Sequence, residues 1–285
     1  MDNLKLGYSI SLPLNYNIDV PDYTIENHNI IKLLSKKFNC IQIMFTKQKL
    51  SSNELHEIIK LIKNYKYIYV HGSYQINIGA DLIPSQTDLY NSGIEILINE
   101  IILANTINAI GIVVHMGKNV KNKFDPSHIH NNMVKFIIEL FNKLKTKKIN
   151  LKILLETPAG QGGEMYYDLI EFIKFITKFS KLYFYKQIGI CLDTCHIFQA
   201  GYDLNDSKVI KKIHTLFTPL KNKINLIHLN DSYHQVGERI DRHEQIGKGQ
   251  IQVNKLIEFI YPYKNIPMIL ETIGPYEKQI NLLKK

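Results

Sequence analysis

Eight times along the 285-residue chain a short apolar run gives way to a longer segment with helical periodicity. The runs that read as strands cover residues 6–11, 40–45, 67–70, 109–115, 151–156, 188–193, 224–230 and 267–271. Helices are expected over 24–37, 52–64, 87–105, 126–147, 167–179, 206–217 and 253–261, with a short tail helix after the last strand. No Pro/Gly/Ser-rich linker interrupts the alternation, so each crossover helix returns the chain to the same end of one parallel sheet. Eight such units can close on themselves. The expected architecture is a single α/β barrel over residues 1–285, with a doubly wound open sheet as the alternative. A hydrophobic content of 45% supplies the large core this requires.

Closure would bring every strand C-terminus to one face, the face on which barrels build their active sites. The strand ends read VHGSY at His71, VVHMG at His115, LLETP at Glu156, CLDTCH at Asp193 with His196, IHLND at His228 and ILET at Glu271. Each has an ordinary explanation alone, since a strand-end Asp commonly caps the next helix and a single His usually packs and hydrogen-bonds. Ordinary explanations give no reason for six consecutive strands to end this way. Convergence on metal does, and imidazole with carboxylate suits zinc or manganese. The longest non-helical insertion, 232–250, follows the seventh strand, and loops of that length in compact domains are usually functional or disordered. It adds Asp241 and His243, two apart and able to point the same way from an extended segment, with Arg242 turned toward solvent or an anion. A surface salt-bridge loop is the competing reading of that triplet.

A formal charge of +9 suggests a polyanionic partner such as nucleic acid or an acidic surface. The densest basic run, 143–148, ends an expected helix, where cations offset the dipole without any ligand. Three cysteines, Cys40, Cys191 and Cys195, are too few for a disulfide framework and are expected as buried, reduced thiols that pack rather than bind metal. No run approaches the roughly 18 apolar residues of a membrane span, and MDNLKLGYSI lacks the basic region and cleavage site of a signal peptide. An intracellular, soluble protein of the cytoplasm or nucleus, not secreted, is therefore expected.

Taken together, HGSYQINIG, VVHMGK, LLETPAGQG, CLDTCHIFQAGYDL, IHLNDS, DRHEQIGKGQI and ILET resemble the endonuclease IV family of apurinic/apyrimidinic endonucleases, over about two-thirds of the chain. The resemblance implies a TIM-type (β/α)8 barrel, a monomer, and a site with three zinc ions, with manganese as a partial substitute. It implies that His71, His115 and Glu156 hold one ion. Glu156 would bridge to a second ion, also held by Asp193, His228 and Glu271, and the third would take His196, Asp241 and His243. Tyr74, beside His71, falls at the family's minor-groove wedge, with Gln75 next to it. The family's DNA-inserting arginine follows a Phe-Thr-Lys segment, and here FTKQKLSS offers only Lys49 or Leu50. After the bridging glutamate the chain also departs from the usual Asn-Thr, reading Thr157 and Pro158.

The implied substrate is double-stranded DNA containing abasic sites, cut 5′ to the lesion to leave a 3′-hydroxyl and a 5′-deoxyribose phosphate. Two close ions can lower the pKa of a bound water to near neutral while a third stabilises the leaving oxygen. Glu156 would set the spacing of the pair, and Glu271 would both ligate and orient or deprotonate the nucleophile. The alternatives are a sugar isomerase or epimerase on a related barrel, and a non-catalytic, metal-containing DNA-binding barrel. A thiolate-free donor set argues against purely structural metal.

Overall fold

A computed structural model of the chain describes residues 4–12, 31, 34–47, 49–80, 87–272 and 274–283. Its strands and helices run in the order β1 (Leu6–Leu12), β2 (Cys40–Phe45), α1 (Ser52–Ile62), β3 (Tyr67–His71), α2 (Thr87–Thr106), β4 (Gly111–Val114), α3 (Pro126–Thr146) and β5 (Lys152–Glu156). There follow α4 (Leu169–Lys178), β6 (Ile188–Asp193), α5 (Thr194–Gln199), α6 (Ser207–Phe217), β7 (Ile224–His228), β8 (Asp231–Ser232), β9 (His243–Glu244), α7 (Val253–Ile260), β10 (Met268–Leu270) and α8 (Tyr276–Leu283). Eight strands form a closed barrel in the order β1-β10-β7-β6-β5-β4-β3-β2, every pair parallel. Closure comes from β1, which pairs with both β2 and β10, and it excludes the open-sheet alternative.

The helices start where their caps dictate. Ser51 and Glu54 form a reciprocal capping box on α1, Asp125 caps α3 ahead of Pro126, and Asp168 caps α4. Their apolar faces pack against the outside of the barrel around residues such as Phe136, Phe172, Ile213 and Phe259. A separate cluster fills the barrel interior with one residue from each of seven strands: Cys40, Tyr69, Val113, Leu154, Cys191, Leu226 and Ile269. Side chains on a strand share a face every second residue. Two positions further along each chain segment lie Gln42, His71, His115, Glu156, Asp193, His228 and Glu271. The next inward layer toward the C-terminal mouth is therefore polar and ionisable.

The helix expected over 24–37 lies mostly outside the described residues. The segment after Asp193 is the first turn of α5, so His196 is presented from a helix. The long insertion is pinned by the antiparallel pair β8–β9, in which Ser232 faces His243. Asp231 fastens its far end by accepting the backbone N–H groups of Gly247, Gly249 and Ile251. A Cβ at Gly249 would stand 2.3 Å from the Ser232 carbonyl oxygen, so only glycine lets the loop close here. No helix among the described residues is long and apolar enough to cross a membrane.

Candidate metal centre

Glu156, at the end of β5 and 1% exposed, sits at the centre of the polar layer. One oxygen, Oε2, faces His115 Nε2 at 3.2 Å and His71 Nε2 at 3.6 Å. The other, Oε1, faces His228 Nδ1 at 2.6 Å and His196 Nδ1 at 3.7 Å. His228 Nδ1 also lies 3.0 Å from Glu271 Oε2 and 3.7 Å from Asp193 Oδ2. From the long loop, Asp241 Oδ1 stands 3.1 Å from both His196 Nε2 and His243 Nε2, and His243 Nε2 is 3.6 Å from Asp193 Oδ2. All nine side chains named from the sequence thus meet in one place. Asp193 does two jobs, since its Oδ1 also accepts the His196 N–H at 2.8 Å as the cap of α5.

The hydrogen bonds behind the imidazoles decide which nitrogens face the centre. A carbonyl can only accept, so His71 Nδ1 donates to the Gly72 carbonyl at 2.8 Å and His196 Nδ1 to that of Thr157 at 2.9 Å. Their Nε2 lone pairs are left pointing inward. Gln42, buried in β2, sets His228 by a longer chain of logic. Its amide nitrogen donates to Glu271 Oε1 at 2.7 Å, so its oxygen must face His228 Nε2 at 2.8 Å and accept from it. The Nδ1 lone pair of a neutral His228 then points at two carboxylates. Lone pair against carboxylate is repulsive unless a cation or a proton lies between them.

Charge balance points the same way. Burial works against ionisation of Glu156, yet His228 and His115 hold its carboxyl well below the usual range. Burial likewise opposes Glu271, and His228 and His243 keep it at about 2. At His196 burial is outweighed by Asp193 and Asp241, which hold the imidazole well above its ordinary value. His115, by contrast, is driven by burial down to about 4. The cluster attracts positive charge and lacks enough of its own. Glu156 Oε2, His196 Nε2 and His243 Nε2 are buried without a hydrogen-bond partner, half of such side-chain atoms among the described residues. Several triads, among them His71–His115–Glu156 and Asp193–His196–His243, have their donor atoms within 4.8 Å of one another. Oriented imidazoles, ionised carboxylates and orphaned donor atoms fit divalent metal. Cys191 and Cys195 come within reach of two further triads. Burial raises both thiols, Cys191 to about 12, so they remain protonated and pack.

Among the expected DNA-facing residues, Tyr74 does not pack beneath a loop. It is 66% exposed, with its ring 5.2 Å from that of His71 and 5.3 Å from that of His115. Gln75 beside it, Lys49 after β2 and Arg242 on the long loop are exposed as well. Gln42 and Asn230 escaped the sequence reading. Asn230 donates to Asp193 Oδ2 at 2.8 Å and to Glu271 Oε2 at 3.2 Å, and accepts the Glu271 N–H. A lone Gln in the apolar run CIQIMF was the one available signal for the first, and the polar step after IHL for the second. Thr157, where the family pattern differs, accepts the Asp193 N–H through its hydroxyl and so supports the site from behind.

A family profile described as xylose isomerase-like TIM barrel matches residues 32–285. A probable endonuclease 4 of Mycoplasmopsis pulmonis is 32% identical over 294 aligned positions, covering 98% of this chain and 99% of that one. The crystal structure of endonuclease IV from Thermus thermophilus superposes with a TM-score of 0.72 at 20% identity, covering 98% of this chain and 96% of that one. A D-tagatose 3-epimerase-like protein does so at 0.69 and 19%, covering 99% and 96%. Such close values for two different kinds of protein speak for the fold alone, whereas the sequence match to the Mycoplasmopsis protein is specific. The chain belongs to the endonuclease IV family of the xylose isomerase-like TIM barrels.

Proposed function

We propose that this protein is a metal-dependent DNA repair endonuclease that hydrolyses the phosphodiester 5′ to an abasic site in duplex DNA. The products would be a 3′-hydroxyl and a 5′-deoxyribose phosphate. The observation that carries the reading is the convergence of nine imidazole and carboxylate side chains whose free donor atoms point at one another at the barrel mouth. His71, His115 and Glu156 would hold one ion, Asp193, His228 and Glu271 a second shared with Glu156, and His196, Asp241 and His243 a third. Bound there, zinc or manganese supplies Lewis-acid activation of water and charge stabilisation at phosphoryl oxygens.

The chain's own residues then have distinct tasks. Glu156 spans the centre with one oxygen toward each half. Glu271 is fixed by Gln42 on Oε1 and Asn230 on Oε2, which holds a carboxylate oxygen where it can orient or accept a proton. Tyr74 presents a ring at the rim, suited to fill the space of a missing base and to favour damage through the lower cost of deforming it. Lys49, Gln75 and Arg242 are exposed and would meet backbone phosphates or bases. Carboxylates alone would repel DNA, and the overall charge of +9 offsets them.

The deciding experiment incubates the chain with a duplex carrying one abasic analogue, with and without chelator, and resolves the products. Incision lost on chelation and restored by zinc or manganese is expected. Full incision by thoroughly demetallated protein would overturn the mechanism, and no incision under any metal would overturn the function.

A further inference from the structure

Six non-glycine residues in the described chain have left-handed backbone: Asn108, Lys121, Asn122, Lys148, Tyr166 and Arg239. Asn108 and Lys148 follow helix ends, where the next residue's N–H closes back on the helix. Three of the others, Asn122 (φ 49°), Tyr166 (φ 67°) and Arg239 (φ 58°), line a single cavity of about 700 Å³, together with Gly160 and Gly163. Left-handed backbone is costly for a residue such as Tyr, and strain of this kind collects at functional sites. The cavity is separate from the metal cluster but shares its rim. It is walled by the loops after β4 and β5 and by the long insertion, with Gly160 four residues past Glu156 and Arg239 two before Asp241.

The walls have a definite chemistry. Tyr166 stacks on Phe175 with ring centroids 4.6 Å apart, and the Arg239 guanidinium lies 4.2 Å above the ring of Tyr167. Behind Tyr166, Lys178 Nζ donates to His130 Nε2 at 2.6 Å. An ammonium can only donate, so the proton of His130 is on Nδ1 and is given to the Tyr166 oxygen. The Tyr166 hydroxyl hydrogen is left for a further acceptor. The acids at the cavity are committed elsewhere. Glu164 accepts the Gly160 and Gln161 N–H groups and pairs with Lys118 at 3.1 Å, Asp168 caps α4, and Glu171 pairs with Lys174 at 2.7 Å. Among the described residues no carboxylate is paired with Arg239, which is exposed.

We infer that this cavity is a nucleotide site, taking one base against the Tyr166 and Tyr167 rings with the Tyr166 hydroxyl on a base acceptor and Arg239 on the phosphate. Its size falls within the roughly 300–1,000 Å³ of small-ligand pockets, and aromatic faces with one unpaired guanidinium are the means by which single nucleotides are held. The nucleotide comes either from the DNA strand flanking the cleaved bond or from a free mononucleotide. The chemistry is shared, and the site does not depend on the abasic-site reading.

The test titrates the metal-loaded full chain with dAMP by calorimetry and measures KM and kcat on abasic duplex for wild type, Arg239→Met and Tyr166→Phe. Arg239 is exposed and Tyr166→Phe keeps the ring, so both variants should fold, which thermal unfolding checks. Loss of a charge-assisted partner should weaken dAMP binding by about tenfold in Arg239→Met, with a smaller loss in Tyr166→Phe. A KM on duplex that rises in step, with kcat unchanged, assigns the nucleotide to the strand. An unchanged KM assigns it to the free mononucleotide. Wild-type dAMP binding and wild-type KM in both variants overturn the inference, and so does dAMP binding confined to the metal centre, which would survive Arg239→Met. Absence of incision by the wild type would sink the nuclease reading while the dAMP titration still reports on the cavity.

Discussion

Gln42→Leu tests whether the site depends on a residue with no expected ligand role. The substitution keeps approximate volume in a fully buried position and removes both polar ends. His228 Nε2–H loses its acceptor at 2.8 Å, and Glu271 Oε1 loses its donor at 2.7 Å. Leaving one buried donor unsatisfied costs about 1–3 kcal/mol, and a lost hydrogen bond to a charged group about 1.5–3 kcal/mol. Part of that cost is relieved when His228 turns over to donate from Nδ1 to Glu156, and that tautomer can no longer offer Nδ1 to a metal. Loss of such an outer support typically lowers metal affinity or activity about 10–100-fold. The assay is zinc retained per chain across a chelator series, read beside turnover on abasic duplex. Ser9→Ala is the control, because among the described residues it removes only the 3.3 Å contact from Gln42 to the Ser9 hydroxyl and should stay within about twofold of wild type. Wild-type zinc retention and turnover in Gln42→Leu would show that His228 needs no such support and would refute the tautomer argument.

Four further outcomes are expected. Glu156→Gln should leave a folded barrel with less than about a tenth of wild-type turnover, since the bridging charge is lost and the apolar interior is untouched; a variant above that level would not be missing a ligand. Tyr74→Ala, with metal content intact, should lose about 1–3 kcal/mol of binding to abasic duplex and little to undamaged duplex, and equal losses in a titration of both would make it a packing residue. Glu100, 3% exposed in α2 and accepting the Ser73 N–H at 3.1 Å, is pushed by burial from 4.5 up to about 7. Because the folded value is the higher, its contribution to stability is present below about pH 4.5 and is lost as pH rises through 7. Glu100→Gln should therefore match wild type in urea unfolding at low pH and exceed it by about 3 kcal/mol near pH 8, and a gap that does not widen with pH would contradict this. Lys148, at φ 56° where α3 ends, should gain about 1 kcal/mol on replacement by Gly, read as a melting temperature raised by roughly 2 °C; a lowered one would mean that the Lys side chain contributes more than the backbone costs.

The sequence alone determined the barrel and most of the ionisable layer at its mouth. Strand length, helix periodicity and the ligand-type residue at each strand end are local properties, written in consecutive residues and readable without knowing what lies opposite. That is why His71, His115, Glu156, Asp193, His228 and Glu271 could be named as one set, and why the loop pair Asp241 and His243 could be added to it. Tertiary structure alone decided what stands behind them. Gln42 reaches His228 across 186 positions of sequence because closure through β1, which pairs with both β2 and β10, brings β2 and β7 to face one another across a single interior, and nothing in CIQIMF says which residues will face it. The inward nitrogen of each histidine depends on a carbonyl or amide supplied by another segment, or by the local path of the backbone, and one-dimensional spacing cannot specify either. The cavity beside the centre is likewise assembled from three loops and the helices α3 and α4, and its strained residues became visible only once their backbone angles were known. Alternation along a strand fixes which side a residue takes, but partners, tautomers and cavities are set by which strands and loops closure makes neighbours.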